Sequence, residues 1–415
     1  MKQPFALSRK IYDAVHGFIR FNDIERELID SSAFQRLHHI HQLGISFLVY
    51  PGATHTRFEH SLGTMEVATR IFDHLMIRQM DLEDAAYWRQ IVRLSALCHD
   101  LGHLPFSHDA ESAILGKGGH EQWTLRVIES EMLVPIEKAL LSYFPARPFR
   151  ADLMHTAIGE EKLREMGRDV RLSPWEKILS EIITADFFGA DRIDYLLRDA
   201  KCTGVSYGIF DYHQLIEMLC VIPVGEKLFL GMQGNGIESC EALLLSRHFM
   251  HQRVYQYSSV QAYKFHLKRF MKGYYATGNY LDSLEKYLSV SDNEILSALR
   301  QAAHDSAAEG HADADAIMRR EKRFVPRELD PSIDELKIKE MMLALAIPSD
   351  AVFWTLFKRA ENKELAFPVL LPSGSISDAA QLSQISIPSG KKNWIFLSPE
   401  WEKPVAAYLQ KGLYV

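Results

Sequence analysis

The pair His99-Asp100 closes an apolar helical stretch, with Ile91, Leu94 and Leu97 at three-residue steps before it and Gly102 as a stop signal after it. Neighbours on a helix diverge by about 100°, so both side chains can face one point only near a helix end or kink. Histidine is crowded around the pair: His55, His60, His74, His99, His103, His108 and His120 all fall between positions 55 and 120. Imidazole nitrogen and carboxylate oxygen are usual ligands of a hydrolytic metal ion. The pair therefore reads as half of a metal site that needs at least two more ligands and an open position.

The chain has 415 residues, too many for one ordinary core, so two or three structural units are expected. It is 47% hydrophobic and 24% charged, which suits a globular core able to desolvate a site. A net charge of −7 argues against a basic nucleic-acid surface, and no nucleic-acid partner is expected. Cys98, Cys202, Cys220 and Cys240 contain no CxxC pair and read as reduced core residues, which points to a cytoplasmic protein. No run of about 18 apolar residues is present, so no membrane span is expected.

The periodicity predicts a mainly α fold with small β hairpins and a smaller α+β C-terminal part. Helices are expected over 61–79, capped by Ser61, over 88–100, over 176–199 from the start signal Ser173-Pro174-Trp175-Glu176, over 238–273, and through the Ala- and Asp-rich stretch 290–318. Strands are expected around Phe18-Ile19-Arg20-Phe21, Lys227-Leu228-Phe229-Leu230 and Trp394-Ile395-Phe396-Leu397. Gly116-Lys117-Gly118-Gly119 reads as a flexible loop before His120. The expected division is a core over 1–275, a helical connector over 276–332 and a small α+β region over 333–415.

His60 and Asp191 are the candidates for the missing ligands. Read singly, a histidine near an apolar helix is a satisfied core or surface residue, and Asp191 is a salt-bridge partner for Arg192 or Arg198. The case rests on His60, His99, Asp100 and Asp191 together. Available proton donors are His103, His108 and His120, and the three-residue step from His108 to Glu111 lets them pair as an oriented acid. Arg57, Arg192 and Arg247 are available cations, since planar arginine can bind phosphate bidentately. Arg247, His251 and Tyr255 at four-residue steps share one helix face, as do Asp191, Tyr195 and Asp199.

A histidine about forty residues before an HD pair, with an aspartate about ninety after it, is the signature of the HD-domain metal phosphohydrolases. The chain resembles their deoxynucleoside triphosphate triphosphohydrolase branch, which includes the animal sterile-alpha-motif-and-HD enzyme and bacterial relatives. The resemblance is carried by Phe34-Gln35-Arg36-Leu37, His41-Gln42-Leu43-Gly44, Arg57-Phe58-Glu59-His60-Ser61-Leu62-Gly63, His99-Asp100-Leu101-Gly102-His103, Pro105-Phe106-Ser107-His108, Ala190-Asp191-Arg192-Ile193-Asp194-Tyr195 and Arg198-Asp199. It covers roughly the first 275 residues. No sterile-alpha-motif domain is expected ahead of it, because the HD region begins almost at residue 1.

The resemblance implies that His60, His99, Asp100 and Asp191 ligate one divalent ion per subunit. Iron, manganese or nickel is favoured by nitrogen-rich ligation, with magnesium bound alongside the substrate. It implies hydrolysis of deoxynucleoside triphosphates (dNTPs) to deoxynucleoside and triphosphate by metal-activated water attacking the α-phosphorus. His108, oriented by Glu111, would be the acid, and His103 and His120 would line the phosphate site. Arg57, Arg192, Arg247, His251 and Tyr255 would hold the substrate. Gln42 and Asp199 would bind the 3′-hydroxyl, with Tyr195 against the ribose face. Arg192 stands where the family commonly has lysine.

The resemblance also implies a homo-oligomer, dimer or tetramer, with a nucleotide activator between subunits at Asp30, Gln35, His38, Arg253, Arg319 and Arg323. His38 replaces an arginine there, and a neutral imidazole donates one hydrogen bond to a guanine edge where arginine donates two. Altered or absent GTP preference is the expectation. The run Arg319-Arg320-Glu321-Lys322-Arg323 is otherwise a solvated helix end. Two other functions are open on sequence: an HD hydrolase of another nucleotide (a monophosphate, a cyclic nucleotide or a guanosine polyphosphate), or a catalytically silent nucleotide- or nucleic-acid-binding protein.

Overall fold

The N-terminal hairpin pairs Arg9–Asp13 with Gly17–Phe21 in antiparallel register and feeds Ile19 and Phe21 into a core built mainly from helices. The structure, a computed structural model, describes residues 5–78, 85–185, 187–356, 366–385 and 392–412. The helix Arg57–Arg78 packs along Ala85–Cys98 and Ala190–Thr203, and these three carry the metal-site candidates. Their apolar stripes, for example Leu62, Met65 and Phe72 against Ile91, Leu94 and Leu97, meet in one fully buried cluster.

Helix boundaries differ from the periodicity at three informative places. The expected helix 61–79 begins at Arg57, so Ser61 is a buried interior residue and not its cap; residue 79 lies outside the described residues. The expected helix 176–199 is two helices, Pro174–Thr184 and Ala190–Thr203. Between them Phe187 and Phe188 are both buried, at 8% and 1% exposure. Gly189 stands at the restart, where a Cβ would lie 2.6 Å from the Ile183 carbonyl oxygen and 2.7 Å from the Ala185 carbonyl oxygen. The expected helix 238–273 is broken as well: Ile237–Met250 runs into a π-helical turn, His251–Tyr255, before Ser258–Gly278 begins.

A second apolar cluster joins Ile45, Leu104 and Phe106 to Tyr263, Tyr287, Ile295 and Leu299, so the helices after residue 258 pack beneath the histidine-rich loop. The sheets interlock distant stretches. Leu219–Val224 and Lys227–Gln233 form a hairpin, to which Pro368–Leu370 adds in parallel with Met232 opposite Val369. The three-stranded sheet has Asn393–Leu397 between Val325–Leu329 and Val352–Thr355. Both sheets span residue 332, so the division at 275 and 332, which remains our proposal, separates stretches that share sheets. All four cysteines are free. Among the described residues no helix is long and apolar enough to cross a membrane.

Candidate active site

The helix Ala85–Cys98 stops one residue before His99, so His99 and Asp100 sit in the turn that lets neighbours face a common point. Gly102 permits the turn's packing: a Cβ there would stand 2.0 Å from the His120 carbonyl oxygen and 2.3 Å from the Thr124 nitrogen. His60, one turn into Arg57–Arg78, and Asp191, at the start of Ala190–Thr203, complete the group. His60 Nε2 is 3.0 Å from Asp191 Oδ1 and 3.5 Å from Asp100 Oδ2. His99 Nε2 is 3.4 Å from Asp100 Oδ1 and 3.7 Å from Asp191 Oδ1. The four residues named from sequence therefore converge.

This group fits a divalent cation. His60 Nδ1 donates to Asp194 Oδ2 at 2.8 Å, and His99 Nδ1 donates to the Ala96 carbonyl at 2.7 Å. Each ring's remaining nitrogen, Nε2, is thereby aimed inward, and both Nε2 atoms are buried with no hydrogen-bond partner. Ligand atoms of His60, His99 and Asp191 lie within 4.8 Å of one another. The Asp191 side chain is 40% exposed, whereas His60 is sealed, so the group is closed on the protein side and open on the other. Burial opposes charge on His60, but the surrounding carboxylates of Asp191, Asp194 and Asp100 outweigh it and push the imidazole up to about 10. Burial likewise opposes ionisation of Asp100, and Arg57, His99 and His103 outweigh it, holding the carboxyl well below its usual range.

Behind His60 stands a buried charge network that sequence reasoning missed. Asp194 accepts from His60, from His16 Nε2 at 2.7 Å and from Arg198 Nε and Nη2 at 2.9 Å each. Arg198 Nη1 reaches Asp13 Oδ2 at 2.8 Å. The available signal was spacing: Asp194 is three residues from Asp191, and Gly63 is three from His60. Gly63 is what admits the carboxylate, because a Cβ there would lie 1.9 Å from Asp194 Oδ1.

The expected acid-base group also assembles. His103 Nε2 is 3.1 Å from Asp100 Oδ1, and its ring stacks on His120 at 3.7 Å between centroids. Glu111 accepts from His108 Nδ1 at 2.6 Å and from His120 Nδ1 at 2.8 Å. Burial, Arg57 and His120 hold His103 well below its ordinary value, so it is neutral. Burial pulls His120 down, but Glu111 outweighs that and raises it. The His108 side chain is 64% exposed.

His99, Asp100, Asp191, His103, His108 and His120 border one cavity of about 1500 Å³. Gln42, Arg57, Tyr195, Asp199, His251 and Tyr255 border it too. Asp199 accepts from His55 Nε2 at 2.7 Å and from Tyr255 OH at 2.8 Å, a pairing the sequence did not suggest for His55. Arg57 is drawn to Asp100 and donates through Nε to Ser107 Oγ at 2.7 Å. Arg192 and Arg247 lie beside Tyr195 and are not part of the cavity lining. Sequence reasoning also missed Lys264, which borders the cavity and pairs with Asp109 at 2.7 Å.

None of the six expected activator residues borders the cavity. Asp30 pairs with Arg26, Gln35 donates to the Ile29 carbonyl, and His38 stacks on Phe58. The Arg253 carbonyl accepts from Tyr50, and Arg319 and Arg323 both pair with Asp315.

Comparison with known proteins agrees with this geometry. The HD-domain family model matches residues 57–201, and the HD-associated-region model matches residues 210–330. The chain belongs to the HD-domain phosphohydrolase superfamily. Within it, the chain resembles the deoxynucleoside triphosphate triphosphohydrolase branch: it is 28% identical to the deoxynucleoside triphosphate triphosphohydrolase SAMHD1 of Gallus gallus over 73% of this chain and 53% of that protein. An uncharacterized protein of Methanocaldococcus jannaschii is 33% identical over 62% of this chain and 48% of its own length. The chain thus spans about half the length of these curated relatives. A crystal structure of a hypothetical protein from Aquifex aeolicus is 30% identical with a TM-score of 0.75, covering 97% of this chain and 99% of that one. A phosphohydrolase from Bacteroides thetaiotaomicron, 23% identical with a TM-score of 0.73 over 94% of this chain and 99% of that one, shares the fold.

Proposed function

We propose that the protein hydrolyses dNTPs to deoxynucleoside and triphosphate, with attack at the α-phosphorus. The observation that carries this reading is that one helix, Ala190–Thr203, presents Asp191, Tyr195 and Asp199 to the same cavity. A metal ligand and two groups suited to a sugar thus stand in a row. His60, His99, Asp100 and Asp191 would hold one divalent transition ion per subunit (iron, manganese or nickel), which would supply Lewis acidity and make water a better nucleophile, and magnesium would accompany the triphosphate. His108, held by Glu111, delivers a proton to the leaving 5′-oxygen. Neutral His103 donates a hydrogen bond, and raised His120 and Arg57 offer positive charge to phosphate oxygens. His251 and Tyr255 complete the substrate wall, Arg192 and Arg247 beside Tyr195 supply positive charge from outside the lining, Gln42 and Asp199 take the 3′-hydroxyl, and Tyr195 packs where a 2′-hydroxyl would stand.

We assign the protein to the cytoplasm as a dimer or tetramer, with Asp30, Gln35, His38, Arg253, Arg319 and Arg323 as its activator-binding residues. Product analysis with each dNTP and Mn²⁺ or Fe²⁺ tests the reaction. Triphosphate among the products supports it, and orthophosphate or pyrophosphate alone would assign a different HD phosphohydrolase. Hydrolysis rates that are identical with and without added GTP or a second dNTP would remove the activator site.

A further inference from the structure

The turn Gly102–Ser107 carries His103 and leads directly to His108, and two of its hydrogen-bond partners, Tyr287 and Asp292, lie close together in the HD-associated region, whereas Thr124, Arg36, His41 and Arg57 come from outside it. The Gly102 carbonyl accepts from Tyr287 OH. The His103 carbonyl accepts from Arg36 Nη1 at 2.9 Å, and Arg36 Nε donates to the Val290 carbonyl at 2.9 Å. The Phe106 nitrogen donates to Asp292 Oδ1 at 2.7 Å. Asp292 Oδ2 accepts from both the His41 nitrogen, at 2.9 Å, and His41 Nδ1, at 2.5 Å. Tyr287 and Asp292 are buried.

The turn needs such support. Phe106 and Ser107 have φ of 57° and 56°, a left-handed conformation that residues other than glycine keep only where their surroundings impose it. This conformation delivers Ser107 Oγ to two partners: it donates to the His41 carbonyl at 2.7 Å and accepts from Arg57 Nε at 2.7 Å. Arg57 in turn pairs with Asp100.

We propose that Tyr287 and Asp292 are positioning residues through which the HD-associated region fixes the Gly102–Ser107 turn, and with it Arg57, His103 and His108. The kinetic part of the test rests on the dNTP reading above; the exchange part does not. Tyr287→Phe keeps the ring stacked on Trp123 at 3.7 Å and removes only the hydroxyl, and Asp292→Asn keeps the size and removes the double acceptor. In the full chain with metal bound, amide exchange over 100–110 is expected to quicken in either variant, while peptides over 190–203 keep their protection. A misplacement of about 1 Å caused by a mutation far from the chemistry can cost about a hundredfold in rate, so kcat is expected to fall by roughly ten- to a hundredfold with KM and metal content unchanged. Unchanged exchange over 100–110, a uniform rise along the whole chain, or an unchanged kcat overturns the proposal. Should the wild type hydrolyse no dNTP, the substrate reading falls and the exchange result alone decides this one.

Discussion

Asp194 is fully buried and accepts hydrogen bonds from two histidines and an arginine, so its charge is neutralised by geometry and not by solvent. Its contact with His60 Nδ1 fixes which nitrogen is offered to a cation. Removing such an outer partner typically lowers metal affinity by about 10- to 100-fold. Asp194→Asn is therefore expected to weaken Mn²⁺ binding by that factor in titration calorimetry; affinity equal to wild type would show that His60 needs no orienting partner. Gly63 tests the same contact from the other side. A Cβ at 1.9 Å from Asp194 Oδ1 and 2.4 Å from Arg198 Nη2 cannot be accommodated without moving the network. Overpacking a core costs about 1–3 kcal/mol, so Gly63→Ala should lower stability by that amount in urea denaturation, with metal affinity falling alongside. At this scale the sequence was legible where chemistry demands a residue type, as at His60, His99, Asp100 and Asp191. It was silent on His16 and Asp13, whose value lies only in what they touch across the fold.

The short connection before Arg57 is tied to the helix Ala190–Thr203 by His55 and Asp199, which are both buried. Burial opposes charge on His55, but hydrogen bonds to Asp199 and Cys202 outweigh it and push the imidazole from 6.5 up to about 9. Below pH 6.5 the imidazole is charged in folded and unfolded chains alike, and the pair contributes fully. Between 6.5 and about 9 the unfolded chain has lost its proton and the folded chain retains it, so the contribution shrinks and then vanishes. The stability gap between wild type and His55→Gln, measured by chemical denaturation, should be widest near pH 6 and narrow as pH rises through 9. A constant gap would mean that the pair is not ionic. The elements around this contact were only partly legible. Four-residue spacing placed Tyr195 and Asp199 beside Asp191 on one helix, as observed. Spacing alone could not reveal the π turn His251–Tyr255, because a π turn changes the number of residues per turn without changing their types. Nor could it show that the helix expected over 176–199 stops at Thr184 and restarts at Ala190.

The cavity is completed by a part of the chain whose sequence says nothing about function. Phe367, 6% exposed, stands 4.8 Å from both Phe187 and Phe188, the two rings that end the chain's approach to Asp191. It borders the cavity, and Val369 two residues on pairs with Met232 and joins the main core cluster. No local pattern foretells a parallel strand arriving from more than a hundred residues away, since pairing of this kind is specified by shape and not by spacing. Because these residues belong to the same cluster as Leu62 and Leu97, the stretch is part of the core that holds the metal-site helices. Truncating a buried phenylalanine to alanine costs about 3–5 kcal/mol where the surroundings cannot collapse. Here two rings would be left facing a cavity already open on one side, which allows some relaxation, so Phe367→Ala should cost about 3 kcal/mol. Urea denaturation should show that loss as an earlier midpoint in the same cooperative transition that reports the helices around His60. A loss below about 1 kcal/mol, or a separate early transition with the metal-site helices unaffected, would mean that the C-terminal strand leans on the core without belonging to it.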